Sequence, residues 1–164
     1  MAASIFRQRR LSQNNLVPTE PPAVMKLPHP QEKLAGCCWL PRLAEKTRFY
    51  LRGEMPFSYR AAFGSSIGVD GYFLRHFKLS RSQIIAAVRI HATDEKLAQW
   101  FLARASVTTK SITDWNMLAP KIGARNHPGY LTRQIVKWIF YPKSVRHPVG
   151  SIFEAIIQDE DLAP

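Results

Sequence analysis

Cysteine is nearly absent from this chain of 164 residues: there are two, and they are neighbours, Cys37 and Cys38. Adjacent cysteines strain a mutual disulfide, so covalent staples are excluded and a core must hold the fold. Two reduced thiols fit a cytoplasmic setting. Long apolar runs are also missing, none approaching the roughly eighteen residues that a spanning helix needs, so no membrane association is expected. The chain lacks a glycine-rich phosphate loop, a nucleophile elbow and a recognisable nucleic-acid module. Its five histidines, His29, His76, His91, His127 and His147, show no zinc-ligand spacing, and nothing calls for a metal or a cofactor. No internal repeat recurs, and no stretch alternates apolar and polar residues as a half-buried strand does.

Acid is the scarcest chemistry, with 12 Asp and Glu against 23 Lys and Arg, a formal charge of +11. The imbalance is local. Residues 31–149 carry nineteen bases and seven acids, whereas residues 150–164 carry four acids and no base. Such an excess attracts nucleic acid, an acidic protein or an anionic metabolite, and does not choose among them. Aromatic and aliphatic residues are plentiful enough for an ordinary packed core.

Residues 1–30 hold five prolines with little apolar periodicity after Phe6, and read as a flexible basic arm. Arg7, Arg9 and Arg10 without an acid in the first nineteen residues also match the composition of an organelle transit peptide. Residues 31–160 then form one helical domain, and 161–164 a tail. Within it, Trp39, Leu40, Leu43, Tyr50 and Leu51 recur at helical spacing in the stretch from Gly36 to Gly53, with Pro41 and Gly53 bracketing the helix. Residues 54–71, with Pro56, Gly64, Gly68 and Gly71, predict a structured loop. Asp70 is placed to cap a short helix from Tyr72. Ser80 with Gln83 signs a capping box, Thr93 caps the next helix, and Ser111 with Asp114 suggests another start, before Ile112, Trp115 and Leu118. Tyr130 to Tyr141 carries Leu131, Ile135, Trp138 and Ile139 on one stripe, and Ser151 to Gln158 carries Ile152, Phe153, Ile156 and Ile157. The expected fold is all-α, a compact bundle of about six helices with a disordered basic N-terminal arm.

Pro30, Lys33, Leu34 and Gly36 precede Arg42, Glu45, Lys46 and Arg48; Gly53, Asp70, Phe73, Trp100, Trp115-Asn116, Phe153-Glu154 and Asp159-Glu160 follow. In this order the chain resembles an uncharacterised bacterial family, domain of unknown function 5069, over about residues 30–160. The resemblance implies fold and boundaries and no reaction.

The candidate site is the cluster Arg42, Lys46 and Arg48 on the first helix, suited to phosphate or carboxylate, with Asp70 as a buried counter-ion. The plain alternative is a solvated helix face. Cys38 is a candidate nucleophile against the commoner role of a small buried residue, any histidine near Asp70 or Asp114 a candidate base, and Asn116 an amide that hydrogen-bonds a loop. The four tryptophans read as core rather than as stacking platforms for bases. The acidic end, Glu154 to Asp161, is expected to dock on the basic body. Together these predict a non-enzymatic binding or accessory domain that engages an anionic partner through a basic surface. The alternative is a small-molecule enzyme with an interhelical pocket for an anionic substrate.

Overall fold

A computed structural model of the chain describes residues 25–146 and 149–162, and leaves undescribed the side chains of Val136, Phe140, Ser144 and Arg146. Most of the expected N-terminal arm and His147 lie outside the described residues.

The domain begins with a hairpin of two-residue strands, β1 (Lys33–Leu34) and β2 (Cys37–Cys38), antiparallel with Lys33 opposite Cys38. Its two-residue turn, Ala35 and Gly36, has positive φ at both positions, the geometry that matches the twist of a tight hairpin. Asn116 clamps the hairpin at both ends: its Oδ1 accepts from Cys38 N at 2.9 Å and its Nδ2 donates to Gly36 O at 2.8 Å. Trp115 Nε1 adds a bond to Cys38 O at 2.9 Å. The amide expected to hold a loop therefore holds this one.

The rest of the described chain is helical, so the all-α class holds. Helix α1 (Leu40–Arg52) has Pro41 in its first turn and ends at Gly53, where Gly53 N bonds Tyr50 O and Glu54 N bonds Phe49 O. That pair of bonds is a Schellman closure, and it requires the positive φ of 74° that glycine takes without a side-chain penalty. The segment read as a loop contains a short helix, α2 (Phe57–Ala62), with no buried residue of its own. Helix α3 (Val69–His76) starts three residues earlier than expected, with Gly68 at its N-cap. Gly71 lets α3 pass close to the preceding loop, because a Cβ there would lie 2.3 Å from Ser65 O.

Helix α4 (Arg81–Ile90) carries the capping box read from Ser80 and Gln83, and α5 (Asp94–Leu102) is capped by Thr93. For α6 (Thr109–Leu118) the expectation is corrected: Thr108 is the cap and Ser111 its partner three residues on. A hydroxyl can serve on either end of a capping box, and the sequence offered two. A 3₁₀ turn (Ala119–Lys121) precedes α7 (Tyr130–Phe140), followed by the short α8 (Lys143–Arg146) and by α9 (Ile152–Asp159), capped by Ser151.

The core is aromatic. Phe73, Phe77, Phe101 and Trp115 meet with ring centroids 4.9–6.1 Å apart, and Trp39 stacks on Phe153 at 5.2 Å. Each fully buried ring contributes on the order of 2–3 kcal/mol. Helix α1 packs against α4, and α9 is anchored by Ile152 N on Ile122 O at 2.9 Å. Residues 25–30 belong to this packing: Leu27 and Pro30 are buried.

One stripe is not covered. Leu131, Ile135, Trp138 and Ile139 of α7 are 66–76% exposed, which corrects the expectation that Trp138 lies in the core.

Candidate functional site

Trp39 closes the hairpin and caps α1 with φ of 71°, a left-handed conformation that a bulky residue adopts only when its surroundings compel it. The consequence is where its indole goes. Trp39 Nε1 donates to Asp70 Oδ1 at 2.9 Å, and its ring lies under the Lys46 ammonium position at 4.7 Å and the Arg42 guanidinium at 5.6 Å. Lys46 and Arg42 are one turn apart on α1, so both reach the same side.

Asp70 is buried, in the first turn of α3. Its Oδ1 accepts from Lys46 Nζ at 3.0 Å and its Oδ2 from Gly64 N at 3.2 Å. The expectation that Asp70 caps a helix is thus corrected, while its reading as a buried counter-ion holds, for Lys46 rather than an arginine. Arg42 Nη1 donates to Pro28 O at 2.8 Å, and Nη2 is hydrogen-bonded to Glu160 at the end of α9. Tyr59 of α2 donates to the same Glu160 oxygen at 3.0 Å. The docking expected of the acidic end takes this form, with Asp161 also on Lys143 Nζ at 2.6 Å. Arg42 Nε is buried and has no acceptor among the described residues.

These groups surround a cavity of about 310 Å³. Its walls come from the start of α1 (Trp39, Arg42, Lys46), from α2 (Ser58, Tyr59, Ala62), from the start of α3 (Gly68, Val69, Asp70), from Ile139 near the end of α7 and Tyr141 and Pro142 just after it, and from Ile156, Asp159 and Glu160 at α9. Burial lowers the Lys46 amine below a lysine's ordinary value; the Asp70 carboxylate pulls it up, and the neighbouring Arg42 charge pushes it down again. Burial, with Glu160 alongside, pushes the Tyr59 phenol up to about 12, and burial raises Tyr141 as well. Both phenols are therefore neutral donors at neutral pH.

Arg48 does not join them. It turns to Glu45 at 3.0 Å and to Asp94 across the surface, and Arg52 pairs with Glu54 at 2.6 Å. Of the four residues picked from the sequence, the fold brings together Arg42, Lys46 and Asp70, and sends Arg48 elsewhere. Cys38 is buried with its thiol pushed up to about 11, chiefly by burial, so it is a packed residue and no ready nucleophile. None of the described histidines lines the cavity; His76 Nε2 is bonded to Ser111 O at 2.8 Å. Tyr59, Tyr141 and Glu160 were not singled out individually. Tyr59 lies in a glycine-rich and proline-rich stretch without periodicity, and the signals for Glu160 are the charge of the acidic end and its place in the Asp159-Glu160 landmark.

Among the described residues no group of three His, Cys, Asp or Glu is arranged to hold a metal ion, and no helix is long and apolar enough to cross a membrane.

An all-α domain whose first helix turns two cations into a small cavity is the class that fold and site define. Over residues 26–161 the chain matches the family described as a domain of unknown function, DUF5069. It belongs to that family, as the order of its landmark residues implied. No match to the chain was found among curated proteins or among solved structures.

Proposed function

We propose that the protein binds a compact organic anion in this cavity, with Arg42 as the recognising group and Lys46 beside it. The observation that carries the reading is the interior position of the pair: Arg42 and Lys46 are 1% and 8% exposed, yet both line one cavity, and the buried Nε–H of Arg42 has no acceptor among the described residues. Cations that bind nucleic acid through its phosphates must be reachable by a broad polyanion, and these two are not. Three carboxylates, Asp70, Asp159 and Glu160, also line the cavity, so it discriminates by shape and pairing instead of accumulating anions at large. An unpaired buried donor costs about 1–3 kcal/mol, which a ligand carboxylate or phosphate on Arg42 would offset. Glu160 holds the Nη2 of the same guanidinium, so a ligand that pairs with Arg42 through two donors displaces a half-buried carboxylate at a helix end.

A thermal-shift screen against small carboxylates, phosphates and short oligonucleotides at low and high salt tests this. A fitting ligand at about a hundred times its Kd adds ~2.7 kcal/mol, on the order of 5–10 °C in Tm. The shift should survive salt, vanish in Arg42→Gln, and occur at roughly fivefold lower ligand in Glu160→Gln, about 1 kcal/mol. Stabilisation by oligonucleotides alone, fading as salt rises, would overturn the small-ligand reading.

A further inference from the structure

Lys46 carries an amine whose chemistry anion binding alone does not use. Lys46 stands in the cavity wall with a single carboxylate partner, Asp70, a tryptophan face at 4.7 Å and a second cation one helical turn away. An amine removed from water and set beside another positive charge is the arrangement that turns lysine into a nucleophile towards carbonyl carbon. We infer that Lys46 forms an imine with an aldehyde or ketone that carries an anionic group, the anion resting on Arg42. This rests on the proposed cavity as an anion site.

The step balances without a cofactor. The neutral Nζ lone pair attacks the carbonyl carbon, the C=O π pair moves to oxygen, and a carbinolamine results. Its oxygen leaves as water with both amine protons, and a C=N bond to Nζ replaces C=O. Asp70 Oδ1, 3.0 Å from Nζ, is placed to take the first of those protons and to hand it to the departing oxygen. Tyr59 and Tyr141 line the same cavity as phenols held neutral, with the Tyr59 O–H donated to Glu160 at 3.0 Å. The desolvation that lowers the Lys46 amine raises its share of free amine above that of an ordinary lysine, against the pull of Asp70.

The test uses the full chain and pyruvate as probe, with sodium cyanoborohydride to reduce any imine and peptide mapping to locate it. Nine lysines compete for the label. At pH 7 the expected result is modification at Lys46 at least about tenfold above the mean of the other eight, since the cavity holds the carboxylate of the probe on Arg42 with its carbonyl beside this amine. Lactate, which has the same anion without the carbonyl, should slow it, and Asp70→Asn should change its pH profile. Labelling spread evenly over the lysines, or untouched by lactate, would overturn the inference. If pyruvate still shifts Tm in a manner lost in Arg42→Gln, the binding reading stands while the imine falls. If neither pyruvate nor any other small anion shifts Tm and Lys46 is not selectively labelled, both fall.

Discussion

Two pairs of cations leave helix α1 at the same spacing, Arg42 with Lys46 and Arg48 with Arg52, about 120° apart around its axis. The first pair is buried around Trp39 and pairs with Glu160 and Asp70 from distant parts of the chain. The second is half-exposed or exposed and pairs with Glu45, Glu54 and Asp94 on the surface. Equal charge at equal spacing thus yields two different environments, decided by which side of the helix meets α3 and α9. Desolvation sets the stakes: a buried ion pair that loses one partner leaves an uncompensated charge, whereas a surface pair is worth about 0–1 kcal/mol.

The largest effect that follows is on Asp70. Asp70→Ala strands the Trp39 N–H, the Gly64 N–H and the Lys46 ammonium together, and should cost about 3–5 kcal/mol in urea denaturation. Adding Lys46→Met to that variant should recover part of the loss, with a coupling of about 1–3 kcal/mol; strict additivity would mean the two groups do not interact. Next comes pH. The folded-state pKa of Lys46 is lowered, so between that value and the ordinary 10.5 the unfolded chain holds more protons and stability rises with pH. The penalty is complete below the folded value and gone above 10.5. Tyr59, raised to about 12 from 10.0, works the opposite way and makes stability fall between those values. Lys46→Met should therefore remove a rising slope at alkaline pH below 10 and leave the fall above it. The smallest effect is on the other side of the helix: Arg48→Ala should cost no more than about 1 kcal/mol and less in high salt. A loss as large as that of Asp70→Ala would erase the distinction between the faces.

Local signals in the sequence were read well where a short-range interaction decides them. Ser80 with Gln83 and Thr93 cap the helices expected of them, and Gly53 stops α1 where it should. What periodicity cannot supply is the identity of the element opposite. The stripe on α7 is as regular as that on α1, yet Leu131, Ile135 and Trp138 face outward, because a shared face says nothing about what covers it. Asp70 illustrates the same limit: its position fits a cap, and only the approach of α3 to α1 makes it the counter-ion of Lys46. The cavity depends on five separated segments, and Glu160 meets Arg42 and Tyr59 across intervals of 118 and 101 residues, which no local pattern encodes.

The claim that one face of α1 has become interior chemistry is tested most directly by titrating the lysine side chains by NMR in the unliganded protein. Lys46 is expected to lose its proton below the ordinary lysine value of 10.5. A Lys46 titrating at or above 10.5 would make it a permanently charged clamp on Asp70, and would contradict both the desolvated cavity and the nucleophilic amine.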